Sequence, residues 1–335
     1  MRLFIFYNPL LVARRRSPSF FPRLEALLRE GWRAKAEQIK IAPTLSAFSA
    51  SEQAAEAVAA GFNTFLVCGG DGTLFQVLQG LAGKPVALGV VPLGTGNVVA
   101  QNLGLPRDPL RAAAMLANAA PREIRLGRLT VYPKTSDQQG SLLPRHWYFL
   151  IAAGMGLHAS LMHLSARGEG KRMAGRSAYF IGGARLLLLE PIEEFALEYT
   201  TTSGVTHQHE ASEAIAVHVP ALNLWKPGAD WFAPHLRLAW IPRAGRAQFF
   251  GSIVSALAHR ATTRISSAGQ QQRKIQPYYE DVVRVSCRPL QPSSLLRKGS
   301  HPSRLLIEAD GEVLGADRLE LALAEERIQL LFPQA

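Results

Sequence analysis

Residues 64–73 read TFLVCGGDGT and indicate an α/β fold. Thr64 to Cys68 is an apolar run of strand length, and it passes directly into a glycine-rich turn, Gly69-Gly70-Asp71-Gly72-Thr73. Glycines let the backbone approach a ligand closely, so successive N–H groups can face an anion ahead of a helix N-terminus. We therefore predict a strand, a phosphate-binding turn and a helix that continues to about Leu81.

A second turn of this kind follows the next predicted strand, Val86–Val91, and reads Pro92-Leu93-Gly94-Thr95-Gly96-Asn97. In the first turn Thr73 can add a hydroxyl donor, whereas Asp71 would repel a bare phosphate unless a cation or a ligand hydroxyl lies between them. Each turn alone could be a plain strand-to-helix connection. Two of them at the carboxyl ends of successive strands favour a ligand-binding crevice.

Strand and helix signals alternate around these turns about every 30 residues, which is the βαβ pattern of a parallel sheet covered on both faces. The earlier strands are predicted at Leu3–Tyr7 and Gln38–Ala42. The earlier helices are predicted at Phe20–Glu30, closed by Gly31, and at Ser51–Ala60, with Ser51 as N-cap and Gly61 as the stop.

The pattern changes after Pro121, where strand signals dominate and a mainly β second domain is expected. We divide the chain into an α/β domain at 1–121, a mainly β domain at 122–316 and terminal strands at 317–335, which can belong to the second domain or return to the first. The later strands are predicted at Glu123–Tyr132, His146–Ala153, Glu194–Thr200, Ala214–Val219, Val282–Arg288 and within Arg318–Phe332, and the later helices at Gly175–Leu189 and Gln248–His259.

Composition narrows the class of protein. Apolar residues make up 47% of the 335 residues and charged residues 19%, which is typical of a globular protein. The two cysteines, Cys68 and Cys287, exclude a disulfide framework and lack zinc-site spacing, and no apolar run reaches the ~20 residues that span a bilayer. We expect a cytoplasmic protein. Its net charge of +11 favours a polyanionic partner.

Other motifs are weaker. No GxxxxGK[ST] sequence exists, which argues against a Walker-type site. Residues 154–159, GMGLHA, match the dinucleotide motif GxGxxA but lack its βαβ register and its later acidic residue. No helix-turn-helix, zinc-finger or RNP-like motif accompanies the basic charge, so we expect no nucleic-acid partner.

The pair of turns resembles the catalytic-domain signature of the diacylglycerol kinase, sphingosine kinase and ceramide kinase superfamily, particularly its bacterial soluble lipid kinase branch. The first turn alone would also fit the NAD kinases, but the Pro-x-Gly-Thr-Gly-Asn turn is a lipid-kinase feature. Further similarity occurs at Asn8-Pro9, Thr44, Gly175–Tyr179 and Asp310-Gly311-Glu312. The resemblance implies a Rossmann-like nucleotide domain, a sandwich-like β domain and an active site in the cleft between them.

The resemblance also implies an ATP-dependent lipid kinase, in which a lipid hydroxyl attacks the γ-phosphate and Glu312 acts as general base. Asp71 would hold Mg²⁺ or order the phosphates. Without the two turns, Asp310-Gly311-Glu312 would be interpreted as an ordinary hairpin turn. The residues that would contact the nucleotide are Asn8, Thr44, Gly69, Gly70, Asp71, Gly72, Thr73, Leu74, Phe75, Gly94, Thr95, Gly96 and Asn97.

Several acidic positions of the family are replaced in this chain. Val98, Arg125 and His158 stand where Asp is usual or frequent, and Gln76 replaces a common Glu. Because Mg²⁺ prefers oxygen ligands, its coordination is weakened. Two interpretations stay open: an altered kinase in which Arg125 neutralises phosphate charge, and a nucleotide- or lipid-binding homologue with impaired transfer. An NAD kinase-like enzyme is a further alternative.

The basic charge points to a membrane surface. Residues 251–300 hold eight Lys and Arg against two acidic side chains, which would attract anionic headgroups if they share a face. We expect the second domain to contact an anionic membrane transiently, where the substrate would be diacylglycerol, a sphingoid base or a related lipid. The basic residues are Arg260, Arg264, Arg273, Lys274, Arg284, Arg288, Arg297 and Lys298.

Overall fold

The N-terminal part of the chain contains a parallel sheet. The computed structural model describes residues 1–13, 18–33, 35–45, 49–132, 143–156, 158–160, 194–222, 228–243, 277–290, 306–315 and 318–334. The first strands are β1 (Arg2–Tyr7), β2 (Gln38–Pro43), β3 (Thr64–Gly69) and β4 (Ala87–Pro92). They lie parallel in the order β2-β1-β3-β4.

Helices connect these strands and follow the last of them. Within the described ranges, no helix is both long enough and apolar enough to cross a membrane. The helices are α1 (Pro9–Ala13), α2 (Phe20–Arg33), α3 (Ser49–Ala59), α4 (Asp71–Leu81), α5 (Val98–Asn102) and α6 (Pro109–Leu116).

Two predicted helix boundaries are wrong. Gly31 lies inside α2, where it serves close packing: a Cβ at this residue would lie 2.9 Å from the Cβ of Ala117. Ser51 lies inside α3, which begins at Ser49. Gly61 does stop α3 as predicted, since it adopts a φ of 85° and its N–H donates to the carbonyl of Val58 at 2.9 Å.

The rest of the described chain is mainly β. The strands β7, β9, β10 and β11 pair antiparallel in that order, with β12 and β13 beyond β7, and β8 pairs with both β9 and β11. These strands and their neighbours are β5 (Ala120–Tyr132), β6 (Arg145–Phe149), β7 (Ala152–Gly156), β8 (Phe195–Thr201), β9 (Thr206–Val217), β10 (Leu236–Pro242), β11 (Tyr278–Pro289), β12 (Ile307–Ala309), β13 (Glu312–Gly315) and β14 (Arg318–Phe332).

The last strand joins the two parts of the chain. Its first half pairs antiparallel with β11, and near its end Gln329 and Leu330 pair in parallel with Ala87 and Leu88 of β4. β5 lies antiparallel along most of β14 and pairs with β6 on its other side. The sheet is therefore continuous from one part to the other, and the boundary predicted at Pro121 falls at the start of β5.

Two hydrophobic cores flank α4. The first lies between the parallel sheet and its helices, and the second lies within the β region. Leu74 and Val77 of α4 pack in the first core, whereas Phe75 packs in the second. The helix that follows the first glycine-rich turn is thus held from both sides.

The predicted strand His146–Ala153 is in fact two strands, β6 and β7, separated at Leu150 and Ile151. The break arises because the backbone N–H groups there donate to the side chain of Asp310 instead of to a neighbouring strand. The predicted helices Gly175–Leu189 and Gln248–His259 lie outside the described residues.

Candidate active site

The four parallel strands end at one edge of the sheet, and each end carries predicted site residues. Asn8 follows β1, Thr44 follows β2, Gly70 follows β3, and Gly94 lies just beyond β4. The strand order places these four ends next to one another. This is the edge at which open α/β sheets bind ligands.

The two glycine-rich turns touch through their backbones. A Cβ placed on Gly70 would lie 3.1 Å from the Cα of Gly94, and one placed on Gly94 would lie 2.7 Å from the Cα of Gly70. The N–H of Leu93 donates to the carbonyl of Gly69 at 2.8 Å. Side chains at residues 70 or 94 would push the turns apart, so this contact requires glycine at both.

Asn8 ties the first strand to the first turn. Its Nδ2 donates to Oγ1 of Thr73 at 3.1 Å, and its Oδ1 accepts from two backbone N–H groups of α1 at 3.0 and 3.3 Å. Next to it, the N–H of Thr44 donates to the carbonyl of Tyr7 at 2.9 Å. The two residues are thereby fixed beside the turn.

Asn97 closes the second turn on itself. It adopts a left-handed φ of 51°, its Oδ1 accepts from the N–H of Gly94 at 2.9 Å, and its Nδ2 donates to the carbonyl of Gly94 at 2.8 Å. Thr95 and Gly96, which lie between them, are exposed. The turn therefore presents the Thr95 hydroxyl and the backbone of Gly96 to solvent.

Asp71 holds the two turns together. Its Oδ2 accepts from the N–H of Val98 at 3.0 Å, and its Oδ1 accepts from the N–H of Val99 at 3.3 Å. Burial raises the pKa of Asp71 above its ordinary value, against the lowering effect of these amides. The carboxylate thus faces the start of α5 and links it to the first turn.

Leu74 and Phe75, two of the predicted nucleotide contacts, have side chains that are each 1% exposed. The N–H of Leu74 donates to the carbonyl of Gly70 at 3.0 Å, which is the first hydrogen bond of the α4 turn. Any contact of these residues with a nucleotide would therefore be made by the backbone.

The N-terminus of α4 has no N-cap side chain, because its N-cap is Gly70. The first N–H groups of a helix have no intrahelical partner, and together with the helix dipole they favour an anion. The first turn consists of Asp71, Gly72 and Thr73, so the predicted phosphate turn and this helix N-terminus coincide.

Glu312 reaches the same terminus from the other part of the chain. It begins β13, and its side chain is half-buried. A Cβ placed on Gly72 would collide with Oε1 of Glu312 and would lie 3.5 Å from its Cδ. The structure therefore brings the predicted general base against the predicted phosphate turn.

The turn before Glu312 is clamped by its own aspartate. Asp310 and Gly311 have φ angles of 50° and 88°, as a two-residue hairpin of type I′ requires, and they connect β12 to β13. The carboxylate of Asp310 accepts from the N–H groups of residues 150, 151 and 152 at 2.9, 2.8 and 3.1 Å. Burial raises the pKa of Asp310 to about 7, against the lowering effect of these amides.

The three positions that lack an expected Asp have different surroundings. Val98 donates its N–H to the Asp71 carboxylate, as described above. Arg125 lies in β5, and its Nε donates to a carbonyl of β14 at 2.9 Å. His158 follows β7 and is buried between two glutamates. The three residues therefore take part in different local interactions.

The sequence analysis missed three buried polar residues, Glu213, Glu308 and His218. Each glutamate interrupts an apolar strand pattern. A charged residue at an inward-facing strand position needs a buried partner, so this interruption is the sequence signal that could have identified both glutamates. Neither ring nitrogen of His218 has a hydrogen-bond partner in the described part of the chain, and burial lowers its pKa to about 4.

Within the ranges that the structure describes, no group of three or more His, Cys, Asp or Glu side chains is arranged to hold a metal ion. Of the eight basic residues predicted to face a membrane, only Arg284 and Arg288 lie in the described ranges, and Arg284 pairs with Glu320 at 2.8 Å.

The fold and the strand-edge geometry define the class of domain: an α/β sheet with two glycine-rich turns at its ligand-binding edge. Residues 2–129 match the family Diacylglycerol kinase catalytic domain. The resemblance predicted from the two turns is thereby confirmed for this part of the chain.

Similar curated proteins include kinases from two bacteria. The chain is 33% identical over 160 residues to the diacylglycerol kinase of Bacillus subtilis (strain 168), covering 47% of each chain. It is 31% identical over 168 residues to a protein of Stenotrophomonas maltophilia (strain K279a) named "Probable lipid kinase YegS-like", covering 48% of this chain and 50% of that one. The chain thus spans about half the length of the curated relatives it matches.

Solved structures resemble the whole chain. A diacylglycerol kinase from Bacillus anthracis str. Sterne aligns with a TM-score of 0.62 at 14% identity, covering 99% of this chain and 96% of that chain. A second solved chain from the same organism gives a TM-score of 0.66 at 16% identity, covering 99% and 97%. These likenesses confirm the predicted fold class, a parallel-sheet α/β part followed by a mainly β part.

Proposed function

We propose that this protein is an ATP-dependent lipid kinase that transfers the γ-phosphate of ATP to a hydroxyl of diacylglycerol, a sphingoid base or a related lipid. One observation carries the proposal: the carboxylate of Glu312 lies against Gly72, at the N-terminus of α4. A proton acceptor and an anion-binding turn in contact are the two parts that phosphoryl transfer to an alcohol needs.

The phosphates of ATP would lie on the first-turn N–H groups of α4 and on the turn formed by Gly94 to Asn97. Glycine at residues 70 and 94 lets the two turns lie backbone to backbone at this edge, because a Cβ at either would force them apart. Thr73 and Thr95 would add hydroxyl donors. Asn8 supports the site indirectly, since it donates to the Thr73 hydroxyl.

Mg²⁺ is expected with ATP, where it neutralises charge on the phosphates. Proteins bind it through one or two carboxylates together with substrate phosphates, not through a dedicated cage. Asp71 is the candidate ligand, since its carboxylate lies between the two turns.

Glu312 would act as general base. Its carboxylate would take the proton of the lipid hydroxyl while the lipid oxygen bonds to the γ-phosphorus and the bond to the β-phosphate oxygen breaks, which leaves ADP and a phosphorylated lipid. Asp310 supports this step by fixing the turn to the backbone of residues 150–152. A general base that is held in place gives faster transfer than a mobile one, because misplacement by about 1 Å can lower the rate about 100-fold.

The match to the diacylglycerol kinase family and the names of the relatives support a lipid as acceptor. A lipid acceptor would require the protein, cytoplasmic by this proposal, to reach a membrane transiently. The net charge of +11 favours an anionic membrane surface as the meeting place.

The test is transfer of labelled γ-phosphate from ATP to an acceptor, with and without Mg²⁺. The acceptors are diacylglycerol and a sphingoid base, each in detergent micelles, and NAD in solution. Labelled lipid supports the proposal, labelled NAD would show an NAD kinase-like enzyme, and ATP binding without any labelled product would show a binding homologue with impaired transfer. Glu210→Gln, in a surface pair with Arg243, is the control variant and should behave as the wild type.

A further inference from the structure

A buried charged triad lies behind the turn that carries Glu312. His158, Glu213 and Glu308 are 7%, 1% and 4% exposed. Nδ1 of His158 contacts Oε1 of Glu213, and Nε2 of His158 lies 3.0 Å from Oε1 of Glu308. The backbone N–H of His158 donates to Oε2 of Glu213 at 3.2 Å. The three side chains thus form one connected unit.

Two glycines of β7 make room for this triad. β7 lies between β9 and β12, with Gly156 opposite Glu213 and Gly154 opposite Glu308. A Cβ at Gly154 would lie 3.0 Å from Cε1 of His158, and one at Gly156 would lie 2.7 Å from Oε2 of Glu213. The β9 backbone comes as close, since the same Cβ atoms would collide with the carbonyl oxygen of Ala214 and lie 2.7 Å from that of Ser212, respectively. The two glycines of the GxGxxA motif therefore let β7 pack against β9 and against the side chains of His158 and Glu213.

The imidazole is a cation at neutral pH. Burial alone would lower the pKa of His158, but Glu213 and Glu308 outweigh burial and raise it to about 10. Two further titratable groups face the triad: Asp310, whose pKa Glu308 helps to raise, and Cys287, whose pKa is raised first by burial and then by Glu213. The positive charge of His158 is what allows two glutamates to be buried so close together.

The triad is connected to the candidate active site through Glu308. While Oε1 of Glu308 contacts His158, its Oε2 accepts from the N–H of Gly311 at 2.8 Å. Gly311 directly precedes Glu312, and Asp310 holds the other side of the same turn. The turn is therefore fixed at two consecutive residues by two carboxylates.

We infer that His158 and Glu308 are positioning residues, which hold the Gly311 amide and thereby keep the carboxylate of Glu312 against Gly72. The inference rests on the proposed function, because it gives Glu312 the role of the base. Stability alone does not account for the triad, since desolvation offsets most of what a buried ion pair contributes. The arrangement of the Glu308 carboxylate indicates a positioning role, because one of its oxygens contacts His158 and the other accepts from the turn that carries Glu312.

The experiment compares Glu308→Ala, Glu308→Gln and His158→Gln with the surface control Glu210→Ala. ATP-dependent transfer to diacylglycerol in micelles gives kcat and KM for ATP, and hydrogen–deuterium exchange follows the amides of residues 307–315. Glu308→Ala is expected to lower kcat on the order of 100-fold with KM for ATP unchanged, because the base is misplaced and the nucleotide turn is untouched. The same variant should speed exchange at Gly311.

Glu308→Gln is expected to restore most of the rate. Its amide oxygen can accept from Gly311 while its Nε2 donates to a neutral His158. If Glu308→Ala does not fold, His158→Gln carries the test with the same expected direction in kcat and exchange. Glu210→Ala should change neither.

Two results would overturn the inference. One is a folded Glu308→Ala whose kcat equals that of the wild type, and the other is unchanged exchange at Gly311 in the same variant. A wild-type protein that binds ATP but labels no acceptor would overturn the proposed function instead, and the exchange measurement would still decide whether the triad holds the turn.

Discussion

The carboxylate of Glu312 lies against the Cα of Gly72, although β13 and α4 belong to different parts of the chain. The contact depends on the missing side chain at residue 72, since a Cβ there would collide with Oε1 of Glu312. The backbone of Gly72 is helical, where alanine is favoured over glycine by about 1 kcal/mol. The contact with Glu312 therefore requires glycine at residue 72, whereas the stability of α4 would favour alanine there.

The variant Gly72→Ala separates the effect on helix stability from the effect on the position of Glu312. We expect a protein that unfolds at the same or a higher temperature than the wild type and has a kcat lowered by roughly 10- to 100-fold, because the added methyl group displaces the base. Thermal unfolding and kcat measured on the same sample check both halves. Gly204→Ala, in the β8–β9 hairpin at a φ of 84°, should cost stability and leave kcat unchanged. A Gly72→Ala protein with the wild-type kcat would contradict the expectation.

Asp71→Asn tests whether the two turns depend on one carboxylate. Asparagine keeps one acceptor oxygen and places an NH₂ group against the other backbone N–H of α5, which should cost about 1–3 kcal/mol of unfolding free energy and weaken ATP binding. Urea denaturation and a nucleotide-binding titration measure these effects. Asp108→Asn is the matched control, because Asp108 caps α6 through two N–H groups and Asn is an equally good N-cap. Equal behaviour of the two variants would refute the role of Asp71.

His218 should make the folded protein sensitive to acid. Its pKa is lowered to about 4 in the folded state from an ordinary 6.5, so the unfolded chain binds a proton that the folded protein does not. The free energy of unfolding should therefore fall as pH falls from 6.5 towards 4. His218→Leu should remove that fall, which urea denaturation at several pH values would show, with His207→Gln as an exposed control. An unchanged pH slope in His218→Leu would count against this reasoning.

Asp310 should give the free energy of unfolding a pH dependence opposite to that from His218. Burial raises its pKa from 3.8 to about 7, so the folded protein retains a proton that the unfolded chain has lost, and its contribution to stability falls as pH rises through that window. Asp310→Asn resembles the protonated acid and should lack this fall. The difference in unfolding free energy between the wild type and this variant is expected to be smallest near the acidic end of the window and to grow as pH rises towards 7. A difference that does not vary with pH would contradict the assignment.

Local patterns in the sequence predicted much of the fold and the two glycine-rich turns at the strand ends. Thr64 to Cys68 and the glycines that follow specify a strand and a turn by their composition alone, and the structure places β3 and α4 there. Gly31 was misleading, because a glycine that allows close helix packing has the same sequence signal as one that ends a helix. The pairing of β14 with β4 was left open, since an alternating pattern identifies a strand but not its partner.

The site across the two parts of the chain could not be predicted from local pattern. The nearness of Glu312 to Gly72 was expected from family resemblance alone, because it depends on how the β region packs on α4. The triad of His158, Glu213 and Glu308 was missed because its members come from three segments distant in sequence. Such clusters depend on strand register, which the printed sequence does not specify.

The most direct test of the account is the transfer of labelled γ-phosphate from ATP to diacylglycerol by the wild type and by Glu312→Gln. The account predicts labelled lipid with the wild type and a kcat lower by roughly 100- to 10,000-fold in Glu312→Gln, with ATP affinity unchanged, because only the proton acceptor is lost. A folded Glu312→Gln protein that labels diacylglycerol as fast as the wild type would contradict it.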